Sequence, residues 1–298
     1  MSLKTDFETL ISNIELPPSS TSLVSGRYAT LGAQLKGQLP HVTIKQIGSF
    51  QRKTKIKPGF LDKLLDLDMA CIFADVDEWT LTKLKPRDLM MDVMKALHSN
   101  KTYKAMRPRT DAPTVIVEYA DNILAEIVPC LRANTKDDTR PPHYYIAADQ
   151  NTWKTADYDY DATYISWLNQ KECGERLTPS IKLIKALLRP LRRFGLSSFQ
   201  VEVLAVKTLP QIFQELDIWW GGWGYQDVLA SYLCHVPRYI SLPLVLPGSK
   251  SDPLPVKNPS DIGNRFMALG NKARELNNKS EAAARMFWKQ RFGTLMPG

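Results

Sequence analysis

The sequence predicts an α+β fold in two lobes, a sheet-bearing half over 1–170 and a helical half over 171–298. Three observations carry this expectation. Short apolar runs bounded by Gly, Pro, Asn or Asp mark strands over 42–47, 65–73, 114–119 and 123–128. From about Thr178 the apolar residues recur at helical spacing instead, over 179–193, 198–208, 211–218, 225–234 and 259–292. With 298 residues and 44% hydrophobic content, the chain has apolar side chains enough to bury a sizeable core, which excludes a disordered protein.

Each element follows from local chemistry. A helix over 21–39 ends near Pro40, which cannot continue it, and serves as a long spine joining the lobes. Pro86 fits the first turn of a helix over 86–99, where a missing N–H costs nothing. Val115 to Tyr119 and Ile123 to Val128 form a hairpin turning at Ala120-Asp121-Asn122, and Pro129 ends its second strand. The Pro-rich run over 237–259 is the main surface loop, and Trp219, Trp220 and Trp223 pack the helical lobe or line the floor of a cleft.

Composition narrows the function classes. No apolar run approaches the roughly 20 residues that a spanning helix needs, and the first 20 residues lack a signal peptide's apolar stretch. Cys71, Cys130, Cys173 and Cys234 have neither metal-site nor disulfide-framework spacing, so reduced thiols in a cytoplasmic protein without structural zinc are expected. The net charge of +8 suits an enzyme acting on nucleoside triphosphates as well as one that binds nucleic acid. One basic cluster, Lys101, Lys104, Arg107 and Arg109, precedes the hairpin; a second, Lys182, Lys185, Arg189, Arg192 and Arg193, lies on the first helix of the second lobe. There is no internal repeat, Walker loop or dinucleotide fingerprint.

The segment from Gly48 to Phe73 carries the chemistry. Gly48 lets the backbone approach a phosphate closely, Ser49 offers a hydroxyl to it, and the strand's period of two puts Asp66 and Asp68 on one face. Two such carboxylates beside a Gly-Ser turn are the layout of a metal-dependent nucleotidyltransferase, in which paired divalent ions serve phosphoryl transfer. The third acid that such a site requires is Glu126 on the hairpin's second strand. Asp-x-Asp recurs at Asp75/Asp77, Asp157/Asp159 and Asp159/Asp161. Asp75 and Asp77 are expected in the loop after the strand, and the other three in solvated turns, since no apolar strand or Gly-Ser turn surrounds them.

These residues resemble the CD-NTases, bacterial relatives of cyclic GMP-AMP synthase that make cyclic oligonucleotide messengers in anti-phage CBASS operons. The resemblance runs through GSFQRKT, LDLD, the strand ending in Ile127-Val128-Pro129, HYYIAADQNTWKTADYD around Trp153, LIKALLRPLRRFGLSSFQVEVLAV, KNPSDIGNRF and FWKQRFGTLMP. It implies a polymerase-β-like nucleotidyltransferase core, a helical lobe that completes the donor-nucleotide site, and two Mg²⁺ ions, or Mn²⁺, on Asp66, Asp68 and Glu126. It also implies nucleotide contacts from Gly48, Ser49 and Arg52, from Lys185 or Arg189 as the triphosphate cation, from Ser198, and from Phe199, either stacked on a base or simply packed in the core.

Three departures matter. Arg52-Lys53-Thr54 stands where the family commonly has Arg-Gly-Thr, PGFLDKL lengthens the connection from Gly48 to Asp66, and Glu126 replaces the usual third Asp with a side chain one methylene longer. The expected function is the joining of NTPs such as ATP or GTP into a cyclic di- or trinucleotide by a monomer that requires neither nucleic acid nor membrane. The alternatives are a nucleic-acid-activated linear synthetase and a catalytically weak nucleotide-binding scaffold. The resemblance further implies that Gly298, a small terminal residue, is a substrate for an operon-encoded conjugation enzyme.

Overall fold

The structure is a computed structural model that describes residues 2–59, 64–134, 139–189, 195–220 and 222–297. Arg192, Arg193, Gly298, most of the PGFLDKL insertion and the side chains of Trp219 and Trp220 lie outside what is described.

The chain opens with α1 (Leu3–Ile14) and α2 (Pro18–Gln38), then β1 (Thr43–Gln46) and the single turn α3 (Gly48–Gln51). The long strand β2 (Leu65–Val76) leads to α4 (Glu78–Leu81), α5 (Pro86–His98) and α6 (Lys101–Ala105). Five strands follow: β3 (Arg109–Asp111), β4 (Thr114–Glu118), β5 (Ile123–Ala133), β6 (Tyr144–Ala147) and β7 (Trp153–Ala156). The helical part comprises α7 (Tyr158–Lys171), α8 (Leu177–Leu188), α9 (Ser198–Trp220), α10 (Tyr225–His235), α11 (Pro259–Lys279) and α12 (Glu281–Phe292).

One mixed sheet carries the first lobe. Its order is β1-β2-β5-β4-β3, with β6 and β7 continuing from the far half of β5. β2 and β5 run parallel, and the other described pairs are antiparallel. The period of two sorts the side chains of both central strands. Leu65, Leu67 and Met69, with Ile123, Ala125 and Ile127, enter the core beneath α2 and α5. The intervening positions face the opposite side, where Ala70, Ile72, Val128 and Cys130 form a second cluster with Tyr144 and Ile146. Asp66, Asp68 and Glu126 belong to that second face.

The helical lobe encloses its own core. Phe7, Leu10 and Ile14 of α1 pack there, Phe7 lying edge-on to Trp288 at 5.8 Å, and Arg285 Nε donates to the buried Asp6 at 2.6 Å. The buried Val24, Leu31 and Leu35 of α2, in contrast, join the sheet core. The expected spine is therefore a hand-over: α1 packs with the helices, α2 with the sheet, and the chain crosses between lobes at 15–17.

Several elements differ from expectation. β2 continues to Val76, so Asp75 sits on the strand in a two-pronged pair with Arg132 (2.6 and 2.7 Å), while Asp77 caps α4 through Thr80 N–H at 2.7 Å. β5 passes through Pro129 to Ala133. Pro129 falls where one neighbour, β4, ends at Ile127 and the next, β6, begins at Cys130, so its missing N–H interrupts no antiparallel ladder on that edge. α9 is one helix despite Pro210, because Leu204, Leu209, Ile212 and Phe213 bury a continuous face through it. The expected final helix is two, split at Ser280, whose hydroxyl caps α12 by accepting from Ala283 N–H at 3.1 Å.

Two corrections reach the site. Asp157 and Asp161 are not in solvated turns: they flank the start of α7 at 0% and 2% exposure. The run over 237–259 is more than a surface loop. It buries Leu244 and Leu246, and it forms a strap tied to β7 by Thr155 Oγ1 donating to Lys250 O (2.6 Å) and Asp252 N–H donating to Thr155 O (3.1 Å). Asp157 accepts Lys250 N–H at 2.8 Å and is paired with Arg140, so a buried carboxylate fastens the strap.

Candidate active site

A cleft of about 680 Å³ opens between the lobes, and all ten site residues expected from the sequence border it. Gly48 begins α3 with φ +73°, a left-handed conformation that side chains resist. Ile47 N–H donates to Asp68 O at 3.1 Å, which sets the Gly-Ser turn directly against β2, and Ser49 is 8% exposed beneath it.

The parallel register of β2 and β5 places Asp68 beside Glu126, with Asp66 two residues back on the same face. Burial, followed by the negative charges of Asp68 and Asp66, pushes the Glu126 carboxyl up to about 7. Burial likewise raises Asp68, against the pull of Lys55. Lys55 Nζ lies 3.1 Å from Asp66 Oδ2 and 3.0 Å from Asp66 O. An ammonium thus occupies part of the acidic wall.

Among the described residues, no three His, Cys, Asp or Glu side chains stand in a metal-holding arrangement. The donor chemistry nonetheless fits a hard divalent cation: oxygen-only carboxylates on one wall, mutually repulsive and half-buried, with a lysine ammonium as the cation in place. Asp66, Asp68 and Glu126 are the residues that would hold it.

The opposite wall is cationic. Arg52 and Lys185 both border the cleft, and both are bound to Glu202 of α9, a fully buried carboxylate. Arg52 Nε donates to Glu202 Oε2 at 2.7 Å and Lys185 Nζ to Glu202 Oε1 at 3.0 Å. Arg52 and Lys185 hold the Glu202 carboxyl near 2, despite its burial. The Arg52 guanidinium also stacks over Phe199, 4.5 Å from the ring centre. Phe199 packs against the helical core and also borders the cleft, and Ser198 is exposed beside it. Arg189 caps α8 and donates to Lys57 O. Lys182, in contrast, turns away to Glu15 at 2.6 Å.

Sequence reasoning missed Lys55 and the strap residues Ser251 and Asp252, which line the cleft, and Glu202, which binds two of its cations. Glu202 carried a legible signal, a lone acid inside the apolar run Phe199 to Val206. The strap residues carried none, because their place depends on hydrogen bonds to Thr155 and Asp157, more than 90 positions away.

Comparison with known proteins gives the family and the fold. The family model for the Second Messenger Oligonucleotide or Dinucleotide Synthetase domain (SMODS) matches residues 1–171. The fold is similar to that of CdnC from E. coli MS115-1, solved with ATP: 16% identity, 100% of this chain and 99% of that one, TM-score 0.68. It is similar to CdnG of Bradyrhizobium diazoefficiens in complex with GTP (15% identity, 97% and 94% covered, TM-score 0.67). It also resembles Vibrio cholerae DncV, a cyclic AMP-GMP synthase (12% identity, 99% and 87% covered, TM-score 0.63). At these identities the structural likeness is one of fold, and no curated protein matches the sequence. The family match over more than half of the chain decides the assignment: the chain belongs to the Second Messenger Oligonucleotide or Dinucleotide Synthetase family and is a nucleotidyltransferase of the CD-NTase kind.

Proposed function

We propose that this protein joins nucleoside triphosphates through phosphodiester bonds into a cyclic di- or trinucleotide, with pyrophosphate released at each step. The observation that carries this reading is the pairing of two walls across one cleft: Asp66, Asp68 and Glu126 on the sheet, and Arg52, Lys185 and Arg189 facing the helical lobe. The acids suit two Mg²⁺ or Mn²⁺ ions, and the cations suit the triphosphate. Bound divalent ions of this kind supply positive charge that lowers the pKa of an attacking hydroxyl and offsets charge on the leaving group.

The chain's own contribution is orientation and exclusion of water. Gly48 and Ser49 bring backbone and hydroxyl to the phosphates, and the cationic wall fixes the triphosphate so that the displacement becomes an oriented one. Phe199 offers a ring to a base. The strap over 247–255 contributes Ser251 and Asp252 to the cleft lining, where they meet whatever occupies it.

The cellular reading follows the family: a cytoplasmic messenger synthase in anti-phage defence, monomeric and active without nucleic acid, whose Gly298 carboxylate is joined to an amine by an operon-encoded conjugation enzyme. No helix is long and apolar enough to cross a membrane among the described residues. The test is to incubate the protein with all four NTPs and Mg²⁺ or Mn²⁺ and weigh the products. A cyclic product is lighter than its linear 5′-monophosphate counterpart by one water, and a purely open-chain product would favour the linear-synthetase alternative.

A further inference from the structure

The two cations on the cleft wall come from different lobes and share one carboxylate. Arg52 follows the Gly-Ser turn of the sheet lobe, Lys185 belongs to α8, and Glu202 of α9 accepts from both: Arg52 Nε at 2.7 Å, Arg52 Nη2 at 3.4 Å and Lys185 Nζ at 3.0 Å. All three side chains are nearly sealed, at 7% for Arg52, 8% for Lys185 and 0% for Glu202. Lys185 Nζ also donates to Thr54 O at 2.9 Å. An ammonium has three N–H donors, so one remains beyond Glu202 and Thr54, on a side chain that borders the cleft.

We propose that Glu202 is a positioning residue for the substrate: it locks Lys185 and Arg52 into a preformed cationic pair whose remaining N–H donors receive the triphosphate. This inference rests on the nucleotidyltransferase reading and deepens it. The geometry argues for it in two ways. A lysine and an arginine at this burial repel each other and would each be driven out of the wall without a shared anion. A carboxylate with 0% exposure cannot itself reach a ligand, so its effect on one passes through the two cations.

Protonation of Lys185 is part of the device. Burial lowers its pKa, as do the charges of Arg52 and Lys55 from the loop after α3, while Glu202 raises it. Asp68 of β2 also acts on this lysine across the cleft. Glu202 is thus the direct partner that keeps the ammonium charged, and its removal must move the lysine's titration downward.

The experiment reads Lys185 in protein labelled with ¹³C at the lysine ε-carbon, the signal being assigned with Lys185→Arg, for the wild type and Glu202→Gln. A second readout is affinity for a non-hydrolysable ATP or GTP analogue against pH. The expected result is a Lys185 titration at least about one unit lower in Glu202→Gln, and an affinity that fails at a correspondingly lower pH, about tenfold weaker where the two profiles diverge. Adding Lys185→Arg to Glu202→Gln should remove that pH dependence, because a guanidinium stays charged. If Glu202→Gln does not fold, Glu202→Asp keeps the charge with a shorter reach, and a shift in the same direction is expected. A folded Glu202 variant whose Lys185 titrates as in the wild type, or whose pH profile for nucleotide is unmoved, overturns the proposal. Wild-type protein that binds no NTP analogue would defeat the nucleotidyltransferase reading and the triphosphate role together, while the lysine titration would still report whether Glu202 sets the cation.

Discussion

A β-carbon at Gly48 would stand 2.6 Å from Asp68 Cγ and 2.8 Å from Asp68 Cβ, so the turn and the acidic strand are packed as closely as only a glycine permits. The N–H of Ile47 on Asp68 O holds them there. The Gly-Ser turn and the acidic strand are therefore packed as one unit, and a disturbance of the first reaches the second.

Gly48→Ala is accordingly expected to shift the Asp68 carboxylate and to force an alanine into φ +73°. Stability should fall by about 1–3 kcal/mol, and turnover by about a hundredfold from misplacement alone. Thermal melting and pyrophosphate release measure the two effects. Retained turnover in a folded Gly48→Ala would detach the turn from the site.

The pH dependence of stability should reveal the acids' need for a cation. Glu126 is raised from 4.5 to about 7 in the folded state, so folding favours its protonated form. The stability it contributes is complete below about pH 4.5 and is lost as pH rises through about 7. Asp161, raised to about 6 by burial, adds a loss of the same sign. Melting temperature in EDTA should therefore drop from about pH 5 to about pH 8, and Mg²⁺ should restore the part due to Glu126, since a bound cation favours the ionised carboxylate. Coincident EDTA and Mg²⁺ curves would remove the acids from metal binding.

Substitution at Glu126 tests its longer reach. Glu126→Ala should remove most activity, whereas Glu126→Asp should keep some and change the preference between Mg²⁺ and Mn²⁺, because Mg²⁺ demands tighter octahedral geometry. Full rate in Glu126→Ala with either metal would send the search for a third ligand elsewhere. Asp75 is a poor candidate, being engaged by Arg132 at the far end of β2.

Synthesis should proceed without DNA or RNA. Arg52 and Lys185 in the cleft are engaged by Glu202, and Lys101, Lys104 and Arg107 lie exposed on or just after α6, outside its lining. Charge reversal at those three residues should leave the rate of pyrophosphate release within about twofold of wild type, as expected for surface sites away from the chemistry. A strict requirement for either polymer, lost with that reversal, would favour the sensor reading.

Much of the first lobe was legible because its pattern is local. The alternation at Leu65 to Met69 puts Asp66 and Asp68 on one strand face and Pro86 marks a helix start that the structure keeps, whereas the place of Glu126 on that same face comes from the parallel register of β2 and β5. What depends on distant partners was not. Asp157 and Asp161 look like turn acids in sequence, and are buried where Arg140, Lys250 and Ser251 arrive from elsewhere to bond one oxygen of each. β6 and β7 are only four residues each and gain their strand character from pairing, β6 with β5 and β7 with β6. Arg52 and Lys185 were legible as cations of the site, but their pairing required Glu202 from a third element.

The central claim is that Asp66 and Asp68 drive formation of a cyclic product. The measurement that tests it most directly is the yield of cyclic product, told from phosphatase-treated linear oligonucleotides by mass and by comparison with linear and cyclic standards, made from α-³²P-labelled NTPs with Mg²⁺ and compared between wild type and the Asp66→Asn/Asp68→Asn variant after both are shown to melt alike. Ring-closed product in the wild type and none in the variant is the predicted result; near-wild-type product in the variant would contradict it.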